Sequence, residues 1–259
     1  MLGARFERFE LKYFVTGAEI ARVRALIAPF TELDPFTEGC AGGMYTVRSI
    51  YFDTPGLRFY HEKDAGTATR KKLRLRTYNQ PCPESVAFFE IKRKYGTAIL
   101  KERVGMPFER AIALLREHPA HRLDAENLAG VELSRAARAT LERFFFLEQV
   151  LRLRRTVLIV YDREAYVGID NPRVRVTFDC DVRSIMYPEL EEIFGDKSLR
   201  HLTNRRQILE VKFNGAMPPW LRPVTRLLSR SNLPISKYCR GIDLWEPADE
   251  TVGELRALN

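Results

Sequence analysis

Two stretches of the chain carry cations at the spacing of a β-strand. In Lys71-Lys-Leu-Arg-Leu-Arg-Thr-Tyr78 the two-residue period sets Arg74, Arg76 and Tyr78 on one face. In Ala87-Phe-Phe-Glu-Ile-Lys-Arg-Lys94 it sets Phe88, Glu90, Lys92 and Lys94 together. The opposite faces read Leu73, Leu75, Thr77, Phe89 and Ile91. A solvated strand mixes its charges, whereas these polar faces are mostly Arg and Lys around one carboxylate. Such a surface suits an oligo-anion.

Carboxylates recur beside the cations. Glu10-Leu-Lys12, Glu90-Ile-Lys92 and Glu210-Val-Lys212 each put an acid and an ammonium on one strand face. Residues 173–183 alternate most cleanly, with Arg173, Arg175, Thr177, Asp179, Asp181 and Arg183 against Val174, Val176, Phe178, Cys180 and Val182. Carboxylates in a basic lining can serve as hard oxygen ligands for Mg²⁺ or Mn²⁺, which bridge phosphate oxygens. Asp179 suits either ligation or the support of an arginine.

The elements that must position these groups are legible from period and punctuation. Residues 5–15 alternate Arg8, Glu10 and Lys12 against Phe9, Leu11 and Tyr13, a first strand. Thr16-Gly-Ala-Glu19 is a capping-box pattern, and Ile20, Val23, Leu26 and Ile27 predict a helix to about Pro29. Residues 45–53 read as an aromatic and β-branched strand closed by Thr54-Pro-Gly56, with a short helical turn over 57–63. Beyond the two basic strands, 98–104 is another. From about 107 to 150 the period turns helical: Phe108, Ile112, Leu114 and Leu115 fit one helix, and 133–146 a second, across a polar link at 124–127. This predicts a helical insertion within one domain spanning 1–259. Strands follow over 157–167, 173–183 and 207–213. Trp220, Val224, Leu227 and Leu228 give a helical stripe to about Ser231, and Ser236-Lys-Tyr-Cys-Arg240 ends the globular part.

Charge narrows the partners only to anions. Lys and Arg number 42 against 34 Asp and Glu, a formal net charge of +8, which suits phosphate compounds, nucleic acid or acidic membranes alike. Nucleic acid is not expected, because its bases stack on exposed aromatics and the aromatics here sit on the apolar faces. The longest apolar run, 156–161, is far short of the roughly 20 residues a membrane span needs. The first residues lack the apolar segment of a secretory signal, so a cytoplasmic location is expected. Cys40, Cys82, Cys180 and Cys239 are dispersed and demand neither disulfides nor zinc, and His61, His118, His121 and His201 are equally scattered. Nothing in the sequence sets an oligomeric state.

About eight two-faced strands imply an α+β fold, an antiparallel eight-stranded β-barrel. The apolar helix stripes at Ile20/Val23/Ile27, Ile112/Leu115, Leu141/Phe145 and Val224/Leu227/Leu228 need an apolar surface to cover. That favours apolar faces outward under helices and a charged lumen. Unpaired like charges there would repel, so reversing Arg74 or Arg76 is expected to weaken anion binding and to relieve the empty protein.

Several motifs together resemble the VTC domain, the polyphosphate polymerase branch of the triphosphate tunnel metalloenzymes in the CYTH-like superfamily. They are Glu10-Leu-Lys-Tyr13, Ser49-Ile-Tyr-Phe-Asp-Thr54, Arg74-Leu-Arg76, Glu90-Ile-Lys92, Tyr161-Asp-Arg-Glu-Ala165, Arg173-Val-Arg175 with Asp179, Glu210-Val-Lys-Phe213 and Ser236-Lys-Tyr238. They run in order over about residues 5–243. The resemblance implies a triphosphate tunnel that binds ATP and transfers its γ-phosphoryl group to a growing inorganic polyphosphate chain, with Mn²⁺ or Mg²⁺. By motif it assigns the phosphate contacts that carry transfer to Lys12, Arg74, Arg76, Lys92, Arg163, Arg175 and Lys237. Lys94 and Lys212 join the substrate contacts, and Glu210 and Glu90 are the metal candidates. The hydrolase branch of the superfamily opens on Glu-x-Glu-x-Lys; here the run is Arg8-Phe-Glu10-Leu-Lys12, which favours the polymerase branch. A metal-dependent tripolyphosphatase or nucleoside triphosphatase, and a non-catalytic polyphosphate-binding module, remain as alternatives.

Overall fold

The structure, a computed structural model, describes residues 8–37, 39–117, 123–124, 126–128, 130–203, 206–228 and 234–245. His118 and His121 lie outside the described residues, as do the first residues of the expected 5–15 strand and the expected helix end near Ser231. In chain order the elements are β1 Arg8–Val15, α1 Gly17–Ile27, β2 Thr31–Leu33, β3 Met44–Asp53, α2 Arg58–Asp64, β4 Thr69–Tyr78, β5 Val86–Tyr95, β6 Ala98–Pro107, α3 Phe108–Arg116, α4 Arg135–Val150, β7 Arg154–Gly168, β8 Arg175–Met186, β9 Arg200–His201, β10 Gln207–Asn214, α5 Arg222–Leu227 and α6 Lys237–Asp243. The fold is α+β, and the registered strand pairs are antiparallel. The chain divides into two compact units, each built from separate segments.

The first unit comprises Met1–Thr46, Tyr161–Val182 and His201–Ser236. Its strands run in the order β1-β10-β8-β7, with β2 on β7. Thr16 caps α1 as its spacing predicts: its hydroxyl accepts from the Glu19 amide at 3.3 Å, and the Glu19 carboxylate accepts from the Thr16 amide at 2.7 Å. Capping fixes where the helix starts, and its stripe then buries Ile20, Val23 and Ile27 against Val174, Val176 and Phe178 of the sheet, beside Leu221, Val224 and Leu228. Each such side chain contributes about 1.5–3 kcal/mol of burial. Glu164 takes the face opposite its neighbour Arg163 and is held by Arg24 of α1, Nε to Oε1 2.9 Å.

The second unit comprises Val47–Val160, Arg183–Arg200 and Lys237–Asn259, with strand order β7-β3-β4-β5-β6. The apolar faces of β4 to β6, with Leu73, Leu75, Phe89, Ile91 and Val104, pack under Ile112 and Leu114 of α3 and Leu141, Phe144 and Phe145 of α4. The Phe89 ring meets Phe144 at 4.9 Å and Phe145 at 5.4 Å, both edge to face. In each unit, therefore, helices cover the apolar side and the charged side lies opposite. No helix among the described residues is long and apolar enough to cross a membrane.

Several expected boundaries move. Arg173 falls before β8, because the connection closes on itself: the Gly168 amide donates to the Val174 carbonyl at 3.0 Å and the Val174 amide to the Asn171 carbonyl at 2.9 Å. β8 runs on past Asp181 to Met186, with Asp181 in a left-handed φ of 48° within it. The second helix of the insertion starts behind the Ser134 cap rather than at Leu133, and reaches Val150. Ser236-Lys-Tyr-Cys-Arg240, expected to end the globular part, leads into α6, which begins at Lys237 and runs to Asp243.

Candidate functional site

In the first unit, antiparallel register aligns Lys12, Glu210 and Thr177 across β1, β10 and β8, and Glu10, Lys212 and Arg175 in the next row. Opposite residues of a pair share a face, so the alternating acids and bases interlock. The Lys12 ammonium lies 3.2 Å from Glu10 and 3.3 Å from Glu210, and donates to the Ile235 carbonyl at 3.5 Å. Lys212 lies 2.7 Å from Glu210 and 3.7 Å from Glu10. Two ammonium groups thus bridge the same two carboxylates. On β7, Arg163 grips Asp179 with both arms of its fork, Nε to Oδ1 2.6 Å and Nη2 to Oδ2 2.8 Å, with Glu210 at 3.8 Å. Burial would lower the Arg163 pKa, but the charges of Asp179, Tyr161 and Glu210 outweigh it, so the guanidinium stays charged. Arg175 is paired with the buried carboxylate of Asp34, just after β2.

The second unit carries a larger basic face on β3 to β6. Register sets Arg76 beside Phe88, Arg74 beside Glu90 and Arg103, Lys72 beside Lys92 and Lys101, and Arg70 beside Lys94. Glu90 is 2% exposed at the centre. Arg74 reaches it at 2.5 Å, and Lys101 and Arg103 each at 3.3 Å. Burial alone would raise the Glu90 pKa, yet the Arg74, Arg76 and Lys101 charges bring it down to about 2. Tyr51 responds in the same way. Its hydroxyl accepts from Arg74 at 2.8 Å, and against burial the charges of Arg74, Arg76 and Lys72 pull its pKa down to about 8. Lys101 is pulled below its ordinary value by burial and by Arg74 and Arg76, although Glu90 opposes the shift. These directions agree that positive charge is in excess on this face. Arg76 is buried, its Nε donating to Ser49 at 3.0 Å.

Lys237 opens α6, which is tied to the same unit through the buried Asp53. One Asp53 oxygen accepts from the amides of Thr54 at 2.7 Å and Phe59 at 2.9 Å; the other accepts from the Tyr60 amide at 3.0 Å and the Tyr238 hydroxyl. Tyr238 lies 5.1 Å from the Tyr51 ring and carries the Lys72 ammonium over its own ring at 5.1 Å. Tyr60 donates to Asp243 at 2.5 Å, closing the link between α2 and α6.

The family description that fits this chain is the VTC domain, which matches residues 7–246. The chain belongs to the VTC domain family. Among solved structures, HpAC1 from Hippeastrum, named as an adenylyl cyclase with a dominant triphosphatase activity, is similar at 10% identity and a TM-score of 0.49 over 92% of this chain and 96% of that one. No curated protein matches. Membership supports an enzyme with a triphosphate- or polyphosphate-related function.

In this VTC domain the sequence-assigned residues fall into two groups. Lys12, Arg163, Arg175, Glu210 and Lys212 belong to the first unit; Arg74, Arg76, Glu90, Lys92, Lys94 and Lys237 belong to the second. The bare repulsion expected of the basic faces is not what the structure contains. Arg74 and Arg163 are each clamped by a buried carboxylate, so reversing Arg74 would set a new acid against Glu90. Among the described residues no group of three or more His, Cys, Asp or Glu could hold a metal. Glu210 has the chemistry of a single hard-oxygen ligand, and both candidates are ringed by cations, Glu210 by Lys12, Lys212 and Arg163 and Glu90 by Arg74, Lys101 and Arg103. Sequence reasoning missed Asp34, Asp53, Tyr51, Lys101 and Arg103. The alternation of Lys101 and Arg103 beyond the Gly96 turn was a usable signal, and Asp53 stood in the Ser49–Thr54 motif; the Asp34 contact with Arg175 spans distant segments and left none.

Proposed function

We propose that this VTC domain is an ATP-dependent polyphosphate polymerase. The observation that supports it is the clamping of guanidinium groups on buried carboxylates, Arg163 on Asp179 and Arg74 on Glu90. Phosphoryl transfer passes through a loose transition state and needs little covalent help from protein, so fixed cations are the machinery it requires. In the first unit Lys12, Arg163, Arg175 and Lys212 would contact phosphate oxygens; in the second unit, taken by itself, Arg74, Arg76, Lys92, Lys94 and Lys237 have the same chemistry. A terminal oxygen of the polyphosphate chain attacks the γ-phosphorus of ATP, the bond from that phosphorus to the β,γ-bridging oxygen breaks, and ADP leaves with the electron pair. Glu210 would hold Mn²⁺ or Mg²⁺, which supplies charge neutralisation on phosphate oxygens when bound. Glu90 instead orients Arg74.

The test is incubation with ATP and Mn²⁺ or Mg²⁺, following free phosphate and chains together by gel. Chains with matching ADP are expected, and Glu210→Gln should abolish them while the fold and part of the triphosphate binding survive. Free phosphate without chains would replace the polymerase by a tunnel phosphatase with water as acceptor. Triphosphate binding with neither product would leave a binding module.

A further inference from the structure

The hydroxyl of Thr177 is buried and has no hydrogen-bond partner among the described residues. It sits in the charged row of β8 between Arg175 and Asp179, directly across from Glu210. Around it, Lys12 and Lys212 hold Glu210, and Arg163 holds Asp179. A carboxylate therefore stands on the adjacent strand, yet the hydroxyl donates to none. Burying an unsatisfied hydroxyl is unfavourable, and valine would fill the same volume without that cost, as Val174 and Val176 do on the other face of the strand. Its unused capacity includes an O–H donor, which an anionic oxygen can take and a metal ion cannot.

We propose that the Thr177 hydroxyl donates a hydrogen bond to a phosphoryl oxygen of the bound triphosphate or polyphosphate, a substrate contact beyond the cations; the inference rests on the phosphate reading above. Lys12 and Lys212 stand on flexible stems at Glu210. A polyanion draws their ammonium groups to its own oxygens and brings a phosphoryl group up to the hydroxyl.

The contact predicts effects of opposite sign on binding and stability. Thr177→Val should weaken tripolyphosphate binding about tenfold in metal-free calorimetry, the scale of one hydrogen bond to a charged group. The same variant should raise the melting temperature of the empty protein by about 2–4 °C. Thr177→Ser, which keeps the hydroxyl, should bind like the wild type. Unchanged binding in Thr177→Val would overturn the proposal. So would a loss seen only with Mn²⁺ present, which would make the hydroxyl a metal contact, or a lowered melting temperature, which would give it a structural partner. Because binding is read without turnover, hydroxyl-dependent binding in a protein that makes no chains would remove the polymerase reading and leave this contact standing.

Discussion

Glu90 and Tyr51 are two acids of very different ordinary strength, and the same guanidinium groups pull both down. The ordinary Glu value of 4.5 falls to about 2 for Glu90, so its ionised form stabilises the fold above about pH 4.5 and that stability is lost as pH drops toward 2. The shift amounts to roughly 3 kcal/mol. Glu90→Gln should therefore unfold at lower urea than the wild type at pH 7, with the gap narrowed severalfold at pH 2.5; an equal gap at both would remove the electrostatic account. Arg74→Glu should destabilise the empty protein as well as weaken binding, since it sets one acid against another, and a melting curve reads this directly. At Tyr51 the depressed value, about 8, makes a spectroscopic prediction. One phenol should ionise near pH 8 in an ultraviolet difference titration and vanish in Tyr51→Phe. Added tripolyphosphate should move that midpoint up, because negative charge disfavours a phenolate; an unmoved midpoint would place the polyanion elsewhere.

The element that carries Lys237 depends on contacts its own seven residues do not supply. A helix this short is marginal alone. It is held by the Tyr238 hydroxyl on Asp53, by Tyr60 on Asp243, and by the close approach of Gly241 to β7 and β8. A β-carbon on Gly241 would come within 2.5 Å of the Ile159 side chain and 3.2 Å of Val157. Gly241→Ala should cost about 1–3 kcal/mol, visible as a lower unfolding midpoint. Tripolyphosphate affinity should fall with it if Lys237 is a phosphate contact, whereas stability lost at unchanged affinity would take Lys237 out of the site. The same reasoning explains Asp53 in Ser49-Ile-Tyr-Phe-Asp-Thr54: it gathers the first amides of α2 and the phenol of α6 on one carboxylate.

For the molecule as a whole, the excess of base over acid, +8, favours a polyanionic partner, and the ordered basic strand faces exist only in the folded state. Tripolyphosphate at 100 times its dissociation constant should add about 2.7 kcal/mol of stability. Raising the salt should erode that gain in a thermal shift assay; a gain indifferent to salt would deny electrostatic capture. Composition and period were sufficient for the two-faced strands, the capped first helix, the helical stretch between β6 and β7, and the motifs that mark the VTC domain. All of these are local, since alternation and capping are set by neighbours a few residues apart. What the sequence could not contain was register. That Glu90 meets Lys101 and Arg103, that Lys12 and Lys212 bridge one pair of carboxylates, that Asp34 holds Arg175, and that Thr177 lies across from Glu210 with its hydroxyl unused all follow from which residue pairs with which across the strands and loops. Those pairings join segments up to two hundred residues apart, and they are selected by packing of the apolar faces rather than by the charged residues they align.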